Sequence, residues 1–330
     1  MIVTRTPVRV SFLGGGTDYP DYFRRHGGQT LGVAIDRYSY ITVNRLAGLF
    51  DYTIRVSYSR MELATRLEDV QHPAVRECLR FLKIDGGVEI HYVGDLPART
   101  GLGSSSSFTV ALLHALHTFE GSMASQQQLA EEACHVEHEM IRERVGVQDQ
   151  YTCAFGGLVH LRMAKDGRVT IERVPLPAER LAALQAHLML LYTGIRRDAH
   201  AVLEEQLDRT RSGAIAQDLS QLGALVDEGV ETLSGSGPIE RFGELLDSAW
   251  QIKRQLSSKI TSDAIDGYYA RARAAGAVGG KLLGAGGGGF LLLFVPPERQ
   301  AAVASALAEL PRVSFGFDHE GSRILFYQPQ

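Results

Sequence analysis

Cysteine is scarce in these 330 residues, with only Cys78, Cys134 and Cys153. An odd count without CxxC spacing gives neither a disulfide framework nor a zinc site, and it points to a reducing, cytoplasmic compartment. Strong charge of one sign is also missing. The net charge is −4 at pH 7, which argues against a nucleic-acid binder, whose footprint would be basic. Long apolar runs are absent too. The opening MIVTRTPVRVSF lacks the apolar stretch of a signal peptide, and the run from Phe290 to Pro297 is far too short to span a bilayer. No GK[ST] follows a glycine loop and no HRD or DFG element appears, so neither a Walker NTPase nor a protein kinase is indicated.

Glycine is what the chain has in quantity, with 35 residues. They gather at Gly14–Gly16, at Gly101–Gly103 and between Gly279 and Gly289. A chain concentrates glycine where its backbone turns sharply or approaches a ligand closely. Residues 1–13 read as a strand, with Val8, Val10 and Phe12 alternating against Arg9 and Ser11. Further β-rich stretches cover about 31–44, 53–58 and 88–93. A helix follows the second glycine cluster, and another runs from about Gln126 to Arg144 with Leu129, Ala133, Met140 and Ile141 on its apolar face. The VPLP at 174–177 reads as a domain junction. Beyond it lie a strand (187–192), four helical stretches between 199 and 275, and the strand 290–295. Strand runs and helix runs without steady βα alternation predict an α+β fold. Length and junction predict two domains, 1–178 and 179–330.

The second cluster carries the clearest chemistry. It reads Gly101-Leu102-Gly103-Ser104-Ser105-Ser106-Ser107 and opens directly into a helix. Glycines let backbone N–H groups close around an anion. The helix start adds free N–H groups and the positive end of its dipole. Serine hydroxyls donate to phosphate or ligate a divalent cation. An N-cap explains one serine, not four in a row behind GLG.

P-x-x-x-G-L-G-S-S-x-S before a helix resembles the second motif of the GHMP kinases. Thr6–Tyr19 (TPVRVSFLGGGTDY) resembles that family's first motif in its sugar-kinase form, and Lys281–Phe290 (KLLGAGGGGF) resembles the third. The three stand in family order and span nearly the whole chain. The last also matches GxGxxG literally, but a strand follows it rather than a helix, so a dinucleotide-binding oxidoreductase is not supported. The resemblance implies a two-domain GHMP kinase fold, with nucleotide and substrate bound in the cleft between domains. It implies ATP and Mg²⁺ as cofactors and a small-molecule sugar or sugar phosphate as partner. Nucleic acid and membrane are not expected, and a monomer or homodimer is.

Family roles carry over residue by residue. Glu137 lies on the apolar face of its helix, where a carboxylate is costly unless paired or metal-bound. The family implies that it ligates Mg²⁺ with a serine of the second motif, Ser105 by alignment, with Ser104 or Ser106 open. The neighbouring His135 and His138 form no HExxH. Asp149 in VGVQDQ, a loop after the helix, matches the catalytic aspartate, as base or as orienter of the attacking hydroxyl. Arg9 matches the cationic partner of that aspartate. Gly15, Gly16, Thr17 and Asp18 match the sugar-binding turn. Arg196 and Arg197, after the strand 187–192, are candidates for an anionic group of the substrate or are ordinary surface charges, and Arg24, Arg25 and Arg37 are further candidates. GGGTDYP and GLGSSSSF are most similar to the branch that phosphorylates the C1 hydroxyl of heptose 7-phosphate. Gly15-Gly16 replaces the Glu-His pair of galactokinases, which argues against galactose. A C1 kinase for another sugar, or a non-catalytic sensor of ATP and sugar, is the alternative.

Overall fold

The computed structural model describes residues 1–97, 100–195 and 199–328. Its first sheet holds β1 (Ile2–Leu13), β2 (Gly28–Arg45), β3 (Ile54–Ser57), β4 (Met61–Ala64), β5 (Val88–Gly94), β6 (Leu158–Met163) and β7 (Val169–Arg173). The second holds β8 (Leu188–Tyr192), β9 (Gly279–Leu282), β10 (Phe290–Phe294) and β11 (Arg312–Val313), in the order β11-β8-β10-β9. The last strand, β12 (Arg323–Tyr327), returns to pair antiparallel with β1, so the first sheet is closed by both ends of the chain. Helices cover both sheets, and the architecture is α+β.

The long β2 sets the geometry. Its first half pairs with β6 through Gly28–Val33, and its second half pairs with β5 through Ser39–Arg45. Against it, β1 runs antiparallel and delivers Arg9 and Ser11 on one face, Val8, Val10 and Phe12 on the other. Both faces are covered. Phe12 and Val10 are fully buried among residues of the second half of the chain, such as Phe242, Leu222 and Val226. Arg9 is only 4% exposed, because the second glycine loop and a helix close over it. It is not the surface strand residue that alternation alone would allow.

Two local departures from the sequence reading matter. The expected helix over 126–144 is an α-helix only over Gln126–His135. It continues as a π-helical turn, Val136–Met140, and stops there. Arg142 then takes a left-handed φ of 64°, unusual for a bulky residue. A π turn adds a residue to the helical circuit and commonly marks functional positions; here it carries Glu137. Asp149 is the second departure. It stands in the first turn of a helix, Gln148–Phe155, not in a loop. Periodicity also missed short elements, among them the helices Pro20–His26 and Pro73–Phe81 and the strands β4, β7, β9, β11 and β12. Among the described residues, no helix is long and apolar enough to cross a membrane.

Candidate active site

The second and third glycine clusters meet here, and the first stands beside them through Asp18. The second begins the helix Ser104–Phe119, and Gly103 just before it adopts φ 71°. A Cβ on Gly103 would lie 3.1 Å from Asp149 Oδ2 and 3.2 Å from Arg9 Cγ. A Cβ on Gly284 would lie 2.4 Å from Gly101 Cα, and one on Gly289 would lie 2.3 Å from the Thr100 carbonyl. Backbone is thus packed on backbone where the third cluster meets the second, and Phe290 N donates to Thr100 O at 3.2 Å. These contacts are why the sequence keeps side chains out of both loops.

Arg9 and Asp149 form the centre. Arg9 Nε donates to Asp149 Oδ1 and Nη2 donates to Oδ2, both at 2.7 Å. Nη1 donates to the Gly101 carbonyl at 2.7 Å, and the Arg9 backbone N–H donates to Leu102 O at 2.9 Å. The guanidinium fork matches the carboxylate bidentately, so neither group can rotate independently. Asp149 keeps 20% of its side chain exposed while Arg9 keeps 5%; the aspartate is the more open partner of the pair.

Asp18 lies beside this pair and is 1% exposed. Its Oδ1 accepts from Gly16 N at 2.9 Å and its Oδ2 from Gln148 Nε2 at 3.0 Å. Burial, with the nearby Asp149 charge adding to it, holds its carboxyl above the usual range despite these bonds. Thr17 is structural, since its hydroxyl donates to the Gly14 and Gln29 carbonyls at 2.8 Å. Gly16 backs onto Gln206 and Leu219. Gly15 is different: it needs no positive φ, and a Cβ there would meet only Ser11 Oγ at 3.4 Å and Gln148 Nε2 at 3.7 Å. Ser11 Oγ is buried and, among the described residues, has no hydrogen-bond partner.

Glu137 makes a second centre, 1% exposed. Ser106 Oγ donates to its Oε2 at 2.9 Å, and Gln150 Nε2 donates to the same oxygen. Oε1 has no partner. Thr109 stands near, but its hydroxyl donates to the Ser105 carbonyl at 3.2 Å. Burial pushes the Glu137 carboxyl up to about 7, against the pull of Thr109, Gln150 and Ser106. The serine at Glu137 is therefore Ser106; the aligned Ser105 is exposed, because successive residues of a helix point about 100° apart. Ser104 is partly buried. Ser107 is tied to the Thr6 carbonyl at 3.0 Å and Leu102 is fully buried in the core, so both support the loop.

Among the described residues no group of three or more His, Cys, Asp or Glu side chains could hold a metal ion. Mg²⁺ does not require one, since it usually keeps one or two protein oxygens and completes its shell with phosphates and water. An orphaned buried carboxylate oxygen beside a serine at the start of the nucleotide helix fits that donor set. Ser11, Ser106, Gln148 and Gln150 were not singled out or not preferred from sequence. Ser11 had a readable signal, lying two residues from Arg9 on the same face of a strand. Arg196 and Arg197 lie outside the described residues. Arg25 donates to the Arg211 carbonyl, and Arg37 is engaged with Asp36 and Ser314.

Comparison with known proteins gives the family. The model of the GHMP kinases N terminal domain matches residues 62–157, and that of the GHMP kinases C terminal region matches 215–312, together more than half of the chain. The chain belongs to the GHMP kinases. It is an ATP-dependent sugar kinase, similar over 301 residues, at 26% identity, to the D-glycero-alpha-D-manno-heptose 7-phosphate kinase of Campylobacter jejuni, with 86% of each chain covered. The galactokinase of Pyrococcus furiosus is 25% identical over 317 residues, also with 86% of each covered. In fold, the chain matches a D-glycero-D-manno-heptose 1-phosphate kinase from Bacteroides thetaiotaomicron over the whole of both chains, with a TM-score of 0.82 at 19% identity.

Proposed function

We propose that the enzyme transfers the γ-phosphoryl group of ATP to the anomeric C1 hydroxyl of a sugar, and that this sugar is D-glycero-D-manno-heptose 7-phosphate, giving the 1,7-bisphosphate. The observation that carries the reading is the bidentate Arg9–Asp149 pair, lying against the second glycine loop next to Asp18 with the aspartate partly open. The heptose-kinase relative supports the choice of sugar.

In this reading the N–H groups of Gly101–Ser106 surround the ATP phosphates. Asp18, Gly15 and Gly16 hold the sugar hydroxyls. Asp149 accepts the hydrogen bond of the C1 hydroxyl and aims its oxygen in line with the γ-phosphorus. Arg9 keeps that carboxylate in place and puts fixed positive charge where negative charge spreads in the transition state. Phosphoryl transfer needs little covalent help from protein beyond such positioning and electrostatics. Ser106 and Glu137 would hold Mg²⁺, which when bound neutralises phosphate charge. Arg196 and Arg197 are kept, from the sequence, as the candidates for the substrate's distal phosphate. The domain division falls near residue 178, with β12 completing the first unit.

ADP release from Mg·ATP across a sugar panel tests the proposal. The panel holds the heptose 7-phosphate, the unphosphorylated heptose, galactose, fucose and mannose. Preference for the heptose 7-phosphate is expected. Turnover with galactose or fucose alone would overturn the heptose assignment and favour the galactokinase-like reading that the second relative supports.

A further inference from the structure

Two buried lysines stand behind the reaction centre, and the mechanism above leaves both unused. Lys253 ends the helix Glu240–Lys253 and is 8% exposed; Lys281 lies on β9 and is 3% exposed. Among the described residues, neither has a carboxylate within ion-pair distance. Lys281 Nζ donates to the Phe12 carbonyl at 2.8 Å, at the point where β1 runs into the first glycine cluster. Lys253 Nζ donates to the Leu282 carbonyl at 3.1 Å and to the Gly284 carbonyl. These carbonyls are the entrances to the first and third glycine loops. The third loop in turn presses on the second, where Gly284 meets Gly101 and Gly101 meets the Leu283 carbonyl.

Charge adds to geometry. Both ammonium groups lie within electrostatic reach of Arg9 on β1 and of Asp18, and they lie within reach of each other. Burial first, and then the neighbouring cations, push Lys253 down to about 8 and Lys281 well below the ordinary lysine value. Arg9 and Asp149 cancel as a pair, so two lysines face one buried carboxylate, Asp18. A buried ammonium without a counter-ion is costly, and a neutral amide could satisfy the same carbonyls. The excess positive charge is balanced when a phosphoryl group enters.

We propose that Lys253 and Lys281 are positioning residues that fasten the third glycine loop onto the nucleotide loop and hold positive charge behind Arg9 for the transferred phosphoryl group. The proposal rests on the kinase reading above. Lys253→Gln tests it, since the amide keeps donors for the carbonyls and loses the charge. In steady-state kinetics of the full chain, kcat is expected to fall about 10²-fold, in the range of removing one preorganised transition-state contact. The sugar KM is expected to stay within about twofold, which separates the effect from uniform binding. Lys253→Arg should recover much of the loss. Calorimetry of Mg·ATP binding near pH 8, in two buffers of different ionisation enthalpy, gives a second readout. Wild type should take up a fraction of a proton that Lys253→Gln does not, because the incoming anion restores the charge on a lysine that titrates there.

Wild-type kcat in Lys253→Gln, or the same proton balance in both proteins, would overturn the proposal. If Lys253→Gln does not fold, absence of proton uptake by wild type overturns it alone. Failure of the kinase reading looks different: wild type itself would turn over no sugar, while the proton balance of nucleotide binding would still be measurable.

Discussion

Asp149 and Glu137 are both carboxylates against the second glycine loop, and the protein holds them in opposite ways. Asp149 meets a guanidinium with both oxygens and keeps an open side. Glu137 is sealed from solvent and, among the described residues, has no cation paired with it and leaves one oxygen unpartnered. The first is electrostatically complete, as the proposed orienter of a neutral hydroxyl should be. The second carries an unmet demand for positive charge, visible as a carboxyl pushed up to about 7. The proposed division of tasks, Asp149 toward the sugar and Glu137 toward the metal–nucleotide complex, rests on this difference of environment.

The largest effect should come from Asp149→Asn. The amide keeps the shape but loses the bidentate match to Arg9, and kcat should fall about 10³-fold or more while Mg·ATP affinity is largely kept. Wild-type turnover in this variant would remove Asp149 from the centre. Next is Glu137→Gln, with a change in stability that has a definite sign. The folded carboxyl binds its proton up to about 7, against 4.5 for the ordinary group. In metal-free protein the folded state therefore holds more protons than the unfolded one in that window. Stability is greatest below it, falls as pH rises through it, and is lower above it by on the order of 3 kcal/mol. Glu137→Gln should flatten this slope in chemical melts across the window, and an unchanged slope would contradict the assignment. A smaller contrast is expected between neighbours on one helix. Ser106→Ala should lower kcat about tenfold, as loss of one charge-assisted hydrogen bond implies, whereas Ser105→Ala should be near wild type. Equal effects in kinetics would blur the Glu137 side. The smallest is Ser11→Ala: its unpartnered hydroxyl borders Gly15 of the proposed sugar-binding turn, so loss of it is expected to raise the sugar KM about fivefold with kcat kept, and a raised ATP KM instead would place Ser11 outside the sugar site.

Much of this was legible in the sequence, unevenly. The strand carrying Arg9 and the helix behind the serines follow from short-range period. The α+β class follows from element order, and family motifs brought Asp18, Glu137 and Asp149 together. That Ser106 rather than Ser105 bonds Glu137 was not legible, because it depends on how the helix Ser104–Phe119 is rotated against the turn Val136–Met140, which sequence period does not give. The return of β12 to β1 was missed for a related reason. Its pairing is with residues more than 300 positions away, and an exposed edge strand shows no hydrophobic alternation. The lysines were invisible because burial of an ammonium is decided by loops from three parts of the chain.

Metal binding separates the two carboxylates most directly. Mn²⁺ in place of Mg²⁺ can be titrated into the enzyme with ATP and followed by electron paramagnetic resonance. The account predicts that Glu137→Gln weakens Mn²⁺ binding by about tenfold or more, as expected for loss of a metal-ligating carboxylate, while Asp149→Asn leaves it within about twofold of wild type. Equal weakening in both variants, or weakening in Asp149→Asn alone, would contradict the division of labour between them.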